Sequence, residues 1–181
     1  DTVNSVEQLI HKQTREDMFN NDPAAFMAFQ GGYDAALPAV ESFISLLRRV
    51  HARGIAIAMI AHTKVEGFKN PLGPDYDRYV PTVHKKTWIL LNGFADLVLF
   101  ANYEAVASTE KDTKAPKGKM KVTTAASQAY LYPIRTAAYD AKNRHGLTGK
   151  ISMGRSGQEA WNNLERALKS CRTTGKQEPE V

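Results

Sequence analysis

This chain of 181 residues has one cysteine, Cys171. A lone thiol excludes an internal disulfide framework and fits a reducing compartment. Nowhere is there an apolar run of about 18 residues, nor a charged start followed by an apolar core, so nothing argues for a membrane span or a secretory signal. No internal repeat occurs, and the formal net charge of +5 is modest, permitting contact with a polyanion without establishing it. There is no initiator methionine either. The chain opens on DTVNSVEQLI, and an apolar-periodic segment begins almost at once, so it reads as a piece of a longer protein. What it does contain is globular: hydrophobic residues make up 43% and charged ones 24%, enough for one domain with a proper core in an intracellular, soluble protein.

Val6, Leu9 and Ile10 have helical spacing up to the break at Asn20-Asn21-Asp22-Pro23, which predicts a helix over 4–19. Leu37, Val40, Ile44, Leu47 and Val50 form one stripe on a helix over 33–53, with Pro38 tolerable in its first turn and Gly54 as its stop. IAIAMIA (55–61) and ADLVLFAN (95–102) are continuous apolar runs, the pattern of strands buried on both faces of a parallel sheet. Between them, 64–82 is rich in Gly, Pro and charge and reads as a long loop, followed by a helix over 83–93 carrying Trp88 and Leu91. Strands are expected over 134–143 and 149–153, and a last helix over 157–170 buries Trp161, Leu164 and Leu168. The expected class is therefore α/β, a mostly parallel sheet flanked by helices.

In such a sheet, ligands bind beyond the carboxyl ends of strands. Three ends turn polar here: at His62, Thr63 and Lys64, at Asn102, and at Lys142 and Arg144 in AAYDAKNRHGL. Residues two apart on a strand share a face, so Lys142 and Arg144 aim two cations at one place, roughly 7 Å apart. The plainer alternative is a solvated strand end whose cations offset Asp140 on that face. For His62 it is an ordinary structural histidine. Between Glu110 and Lys121 stand five lysines against two acids, the tip of a basic hairpin; Lys114, Lys117, Lys119 and Lys121 are its candidate nucleic-acid contacts.

In order, DTVNS, the long helix, IAIAMIAHTK, ADLVLFANYE and YDAKNRHGL resemble the second part of a RecA-like P-loop ATPase. The wording AHTKVEGFKNPLGPDYDRYVP, HKKTW and KNRHG is similar to a phage and prophage branch, the AAA-domain ATP-binding proteins of single-strand annealing and recombination. The resemblance covers about residues 1–168. It implies a RecA-like core over 1–170, with a polar flexible tail over 171–181, in the cytoplasm of a bacterial host. It also implies ATP and Mg²⁺ as ligands, a homo-oligomeric ring or filament, and single-stranded DNA as a partner. Asp1 would be the Walker B aspartate holding the water shell of Mg²⁺, and His62 would sense the γ-phosphate. Lys142 and Arg144 would reach across a subunit boundary.

One departure is large. No G-x-x-x-x-G-K-[ST] occurs: Gly31-Gly32 has no lysine at the needed spacing, and GLTGK at 146–150 lacks the frame. That loop holds phosphates through its N–H groups, lysine and hydroxyl, so the resemblance places it upstream of Asp1. Two other readings compete. One is a non-catalytic DNA-binding or annealing module using the basic hairpin and the 64–82 loop. The other is a metal-dependent hydrolase using His62, His84, Asp75 and Asp77, which lack metal-ligand spacing.

Overall fold

The computed structural model describes residues 2–104 and 128–174, the last three by backbone alone. The chain forms two compact units, residues 1–95 and 96–181.

In the first unit, helix α1 (Val3–Met18) closely follows the predicted span. Asp22 accepts the Ala24 N–H at 2.8 Å and starts the short helix α2 (Pro23–Met27), with proline at the position that needs no donor. A tight turn then leads into α3 (Gly31–His51). Gly32 is required there, because a Cβ would lie 2.3 Å from the Phe26 ring and 2.5 Å from its carbonyl oxygen. Pro38 is not in the first turn, as expected from the sequence, but is the eighth residue of α3. An interior proline costs about 3 kcal/mol, and it is tolerated because the same helix buries Ala36, Val40 and Ile44. With Val3, Val83 and Leu91, the pair Val40 and Ile44 makes the core of this unit, and Ile10, Met59, Trp88 and Phe94 pack around it.

The predicted buried strand 55–61 is not a sheet strand. Met59 and Ala61 pack against the core, but Ile55 and Ile60 are 53% and 66% exposed. Its described pairing is a single parallel bridge, Thr2 with Ile60, closed by the Val3 N–H on the Ile60 oxygen at 2.9 Å. A continuous apolar run announces that both faces suit burial but cannot supply the neighbouring strands.

The predicted loop after it is a hairpin: β1 (Thr63–Phe68) pairs antiparallel with β2 (Tyr76–Pro81), Thr63 opposite Pro81 and Phe68 opposite Tyr76. β1 is largely exposed, and the more buried face of β2 carries Arg78 between Tyr76 and Val80, so no apolar–polar alternation betrays the hairpin. Helix α4 (Lys85–Phe94) follows, with His84 as N-cap: its Nδ1 accepts the Lys86 N–H at 3.4 Å.

A cluster joins these helices. Buried Glu7 accepts the His84 N–H with both carboxylate oxygens, at 2.9 and 3.1 Å, and the His84 ring stacks on Tyr33 at 4.2 Å. His11 lies 3.9 Å from Glu7 and edges onto Tyr33 and Phe26. Burial holds the His11 imidazole below its ordinary value; Glu7 opposes this and His84 adds to it. The unfolded chain therefore takes up this proton first. The stability from neutral His11 is complete above about pH 6.5 and is lost as pH falls through the lower folded value. Urea midpoints at pH 7.5 and 5.0 should show this loss, and His11→Gln should shrink the difference; an undiminished difference would assign it elsewhere.

The second unit contains β3 (Leu97–Val98), β4 (Phe100–Tyr103), β5 (Ala129–Tyr132), β6 (Lys142–Asn143), β7 (Ile151–Ser152) and α5 (Gly157–Thr174). β3 pairs with β6, and β5 lies between β4 and β7; all these pairings are antiparallel. Helices and strands are both present, so the α/β content stands, but they come in groups and the mostly parallel sheet is not formed. Parallel neighbours need a crossover of a dozen or more residues, whereas β1 and β2 are joined by a short turn, so they pair as a hairpin. The run 95–102 becomes two short strands in different sheets, and the strand expected over 134–143 shrinks to β6. Phe100, Leu147 and Ile151 are buried, and the Phe100 ring stacks on Tyr139 at 4.4 Å.

Helix α5 starts on a reciprocal cap, the Ser156 hydroxyl accepting the Glu159 N–H and the Glu159 carboxylate accepting the Arg155 N–H. It runs four residues past its predicted end. Leu164 and Leu168 are half-buried, but Trp161, expected inside, is 54% exposed. Helical spacing marks a face, and Trp161 lies at the rim of that face.

Candidate functional site

His62 ends the extended segment 55–61 and opens the hairpin. Its side chain is exposed, but its backbone is tied at both ends: the N–H donates to Asn4 Oδ1 at 2.9 Å, and the carbonyl accepts the Thr82 N–H at 2.9 Å. Asn4 lies in the first turn of α1 and Thr82 just beyond β2, so three segments meet at this histidine.

Lys142 and Arg144 lie in the second unit. β6 pairs Val98 with Lys142 and Leu97 with Asn143, and the ladder continues one residue further, the Arg144 N–H donating to the Asp96 oxygen at 3.1 Å. Lys142 and Arg144 thus occupy alternate positions along one ladder, as the sequence pattern predicts. The chain then turns. Asn143 Oδ1 accepts the His145 and Leu147 N–H groups at 3.1 and 3.2 Å, and its Nδ2 donates to the Leu147 oxygen at 2.6 Å. Gly146 adopts φ +76°, which only glycine takes without strain. The Cys171 thiol of α5 donates to the Gly146 oxygen at 3.4 Å. Arg144 Nη1 meets Asp96 Oδ1 at 2.8 Å, both side chains about half exposed, while Asp140 is met by Arg135 at 3.4 Å.

Sequence reading missed Asn143 and Asp96. An Asn that bonds the backbone two residues on is a recognised turn signal, so Asn143 was discoverable; Asp96 needed the β3–β6 pairing. The third polar strand end, Asn102, accepts the following Tyr103 N–H at 2.8 Å.

Asp1 and the lysines Lys114, Lys117, Lys119 and Lys121 lie outside the described residues. The strands flanking the lysine-rich stretch, β4 and β5, are antiparallel partners, as a hairpin requires. The 64–82 hairpin offers no net attraction to a polyanion. Lys64, Lys69 and Arg78 are balanced by Glu66, Asp75 and Asp77; Lys69 pairs with Asp75 at 2.6 Å and Lys64 with Glu66 at 3.1 Å. Hydrogen bonds from Lys64 and then Lys85 hold the Glu66 carboxyl below its usual range, and Lys69 does the same for Asp75. A cleft of about 270 Å³ at the hairpin tip is lined by Phe68, Lys69, Asp75, Tyr76 and Asp77. Its carboxylates suit no phosphate. The four residues of the metal-hydrolase reading are not gathered: His84 caps α4 and Asp75 holds Lys69. Among the described residues no cluster of three or more His, Cys, Asp or Glu could hold a metal ion, and no helix is long and apolar enough to cross a membrane.

Residues 1–145 match a family of P-loop-type ATPases. The family is the one described as AAA domain, and the chain belongs to it. No curated protein and no solved structure matches the chain. Membership implies ATP with a divalent metal. The phosphate-cradling loop is not among these 181 residues, and the hairpin cleft does not replace it.

Proposed function

We propose that these residues are the portion of a RecA-like ATPase that runs from the Walker B aspartate onward, serving phage or prophage DNA recombination or replication. In this reading Asp1 orients the water shell of Mg²⁺, and His62 reports the state of the γ-phosphate. Lys142 and Arg144 serve a nucleotide held by a neighbouring copy in a homo-oligomer. The supporting observation is the Lys142–Leu147 turn: two cations on one ladder, the chain locked behind them by Asn143 and Gly146, in a chain of an ATPase family. The uncovered apolar residues Ile55 and Ile60 also favour it, since a parallel sheet would cover them.

ATP supplies the phosphoryl group whose developing charge such cations stabilise. Most phosphate affinity in this fold comes from the loop that these residues lack. The 181-residue chain should therefore show no saturable binding of a fluorescent ATP analogue at micromolar concentration, and no hydrolysis. Extending the chain by its upstream coding sequence should bring both. Robust Mg²⁺-dependent turnover by the 181 residues alone, abolished by Asp1→Ala, would overturn this division of parts.

The DNA partner rests on the lysines between Glu110 and Lys121. Replacing Lys117, Lys119 and Lys121 with alanine should weaken single-stranded DNA binding about equally for every sequence. It should also lower the salt slope by up to about 0.7 per lost phosphate contact. An unchanged slope would make this segment a solvated loop.

A further inference from the structure

We infer that Asn4 is a positioning residue that fixes His62 and the root of the β1–β2 hairpin as one unit, an inference that rests on the sensing role proposed for His62. A backbone N–H can only donate, so the atom of Asn4 facing the His62 N–H is Oδ1, at 2.9 Å. Nδ2 is then the atom on Thr82 Oγ1, at 2.6 Å. With its lone pair so engaged, the Thr82 hydroxyl is left to donate its own hydrogen to the His62 oxygen, at 3.3 Å, beside the Thr82 N–H at 2.9 Å. The ring closes with each donor used once.

The Asn4 side chain serves segments outside α1, since its partners are 58 and 78 residues away in the chain. Both polar backbone atoms of His62 are held, so its backbone, and with it the direction of its Cα–Cβ bond, depends on this ring. Asn4 also stands three residues from Asp1, so the ring ties the start of α1 to the histidine and to the hairpin exit.

Amide hydrogen exchange on the 181-residue chain tests the tether without nucleotide. In Asn4→Ala the His62 and Thr82 amides should exchange about tenfold faster, the worth of one lost hydrogen bond. Those of Val40 and Ile44 should keep their rates. Asn4→Asp retains the acceptor and should restore slow exchange at His62. In the complete ATP-hydrolysing protein, Asn4→Ala should lower kcat about tenfold with KM for ATP unchanged, and Asn4→Asp should recover most of it. Exchange that quickens uniformly, α3 included, would make Asn4 a stability residue and overturn the inference, as would exchange that does not change at all. If the His62 amide responds as expected while His62→Ala leaves hydrolysis intact, the tether stands and the sensing role of His62 is what fails.

Discussion

Arg144→Ala in the complete protein should reduce ATP hydrolysis by about 10³-fold or more while leaving nucleotide binding nearly intact. An arginine brought to a transferring phosphoryl group is worth about 10³ to 10⁵ in rate, and its charge matters in the transition state more than in the bound ground state. The observed Arg144–Asp96 pair does not oppose this role. Both side chains are about half exposed, and such surface pairs are worth about 0 to 1 kcal/mol, so Arg144 can leave Asp96 for a phosphate at little cost. For the same reason, lost stability cannot account for a thousandfold loss of rate. Lysine should be a poor replacement, because it lacks the planar fork.

A mixing experiment decides whether the action is in trans. Arg144→Ala subunits are combined with subunits that lack the phosphate-binding lysine, each inactive alone. Mixed assemblies contain interfaces that pair an intact phosphate loop with an intact Arg144, and these should recover activity. If mixed assembly is shown independently and no activity returns, Arg144 belongs to the Asp96 ion pair and not to a neighbour's nucleotide.

The second large effect is on folding. Ile44→Ala should destabilise the first unit by about 2 to 5 kcal/mol, the usual cost of removing a buried branched side chain and leaving its cavity. Ile44 is 3% exposed at the centre of the cluster formed with Val3, Val40, Val83 and Leu91. It therefore touches the packing of α1, α3 and α4 together. A domain holds only about 5 to 15 kcal/mol in all, so the loss is a large share. The two tryptophans report separately, Trp88 from the first unit and Trp161 from the second. In a Trp161→Phe background, the urea midpoint read from Trp88 should fall by about 1 M or more. Leu46→Ala, at a position 53% exposed on the same helix, should barely move it. Equal shifts for the two variants would mean that the α3 stripe is not the core.

The helices were largely legible in the sequence. The stripe Leu37, Val40, Ile44, Leu47, Val50 located α3 within two residues at each end, and the break at Asn20–Pro23 ended α1 where expected. The alternate backbone positions of Lys142 and Arg144 and the sharp turn at Gly146 were legible too, because alternation along a strand and a glycine at positive φ are local properties. The partners of these groups were not. Asp96 reaches Arg144 across 48 residues, and Asn4 reaches His62 and Thr82 across 58 and 78. No local pattern records such distances.

Pairing shows the same division. The apolar run 55–61 marked extended backbone, yet its described strand pairing is one bridge to Thr2; the polar stretch 64–82 concealed a hairpin. The sequence by itself determined where most of the helices run, which face of each is apolar, and which residues alternate along a strand. An α-helix closes its hydrogen bonds within four residues, and a strand's alternation needs no partner. Only the tertiary structure decided which strands pair and in what direction, that Trp161 stays outside, and that Asn4 and Asp96 hold the two candidate groups. Each of these is a contact between segments far apart in the chain, and its free energy exists only once both are in place.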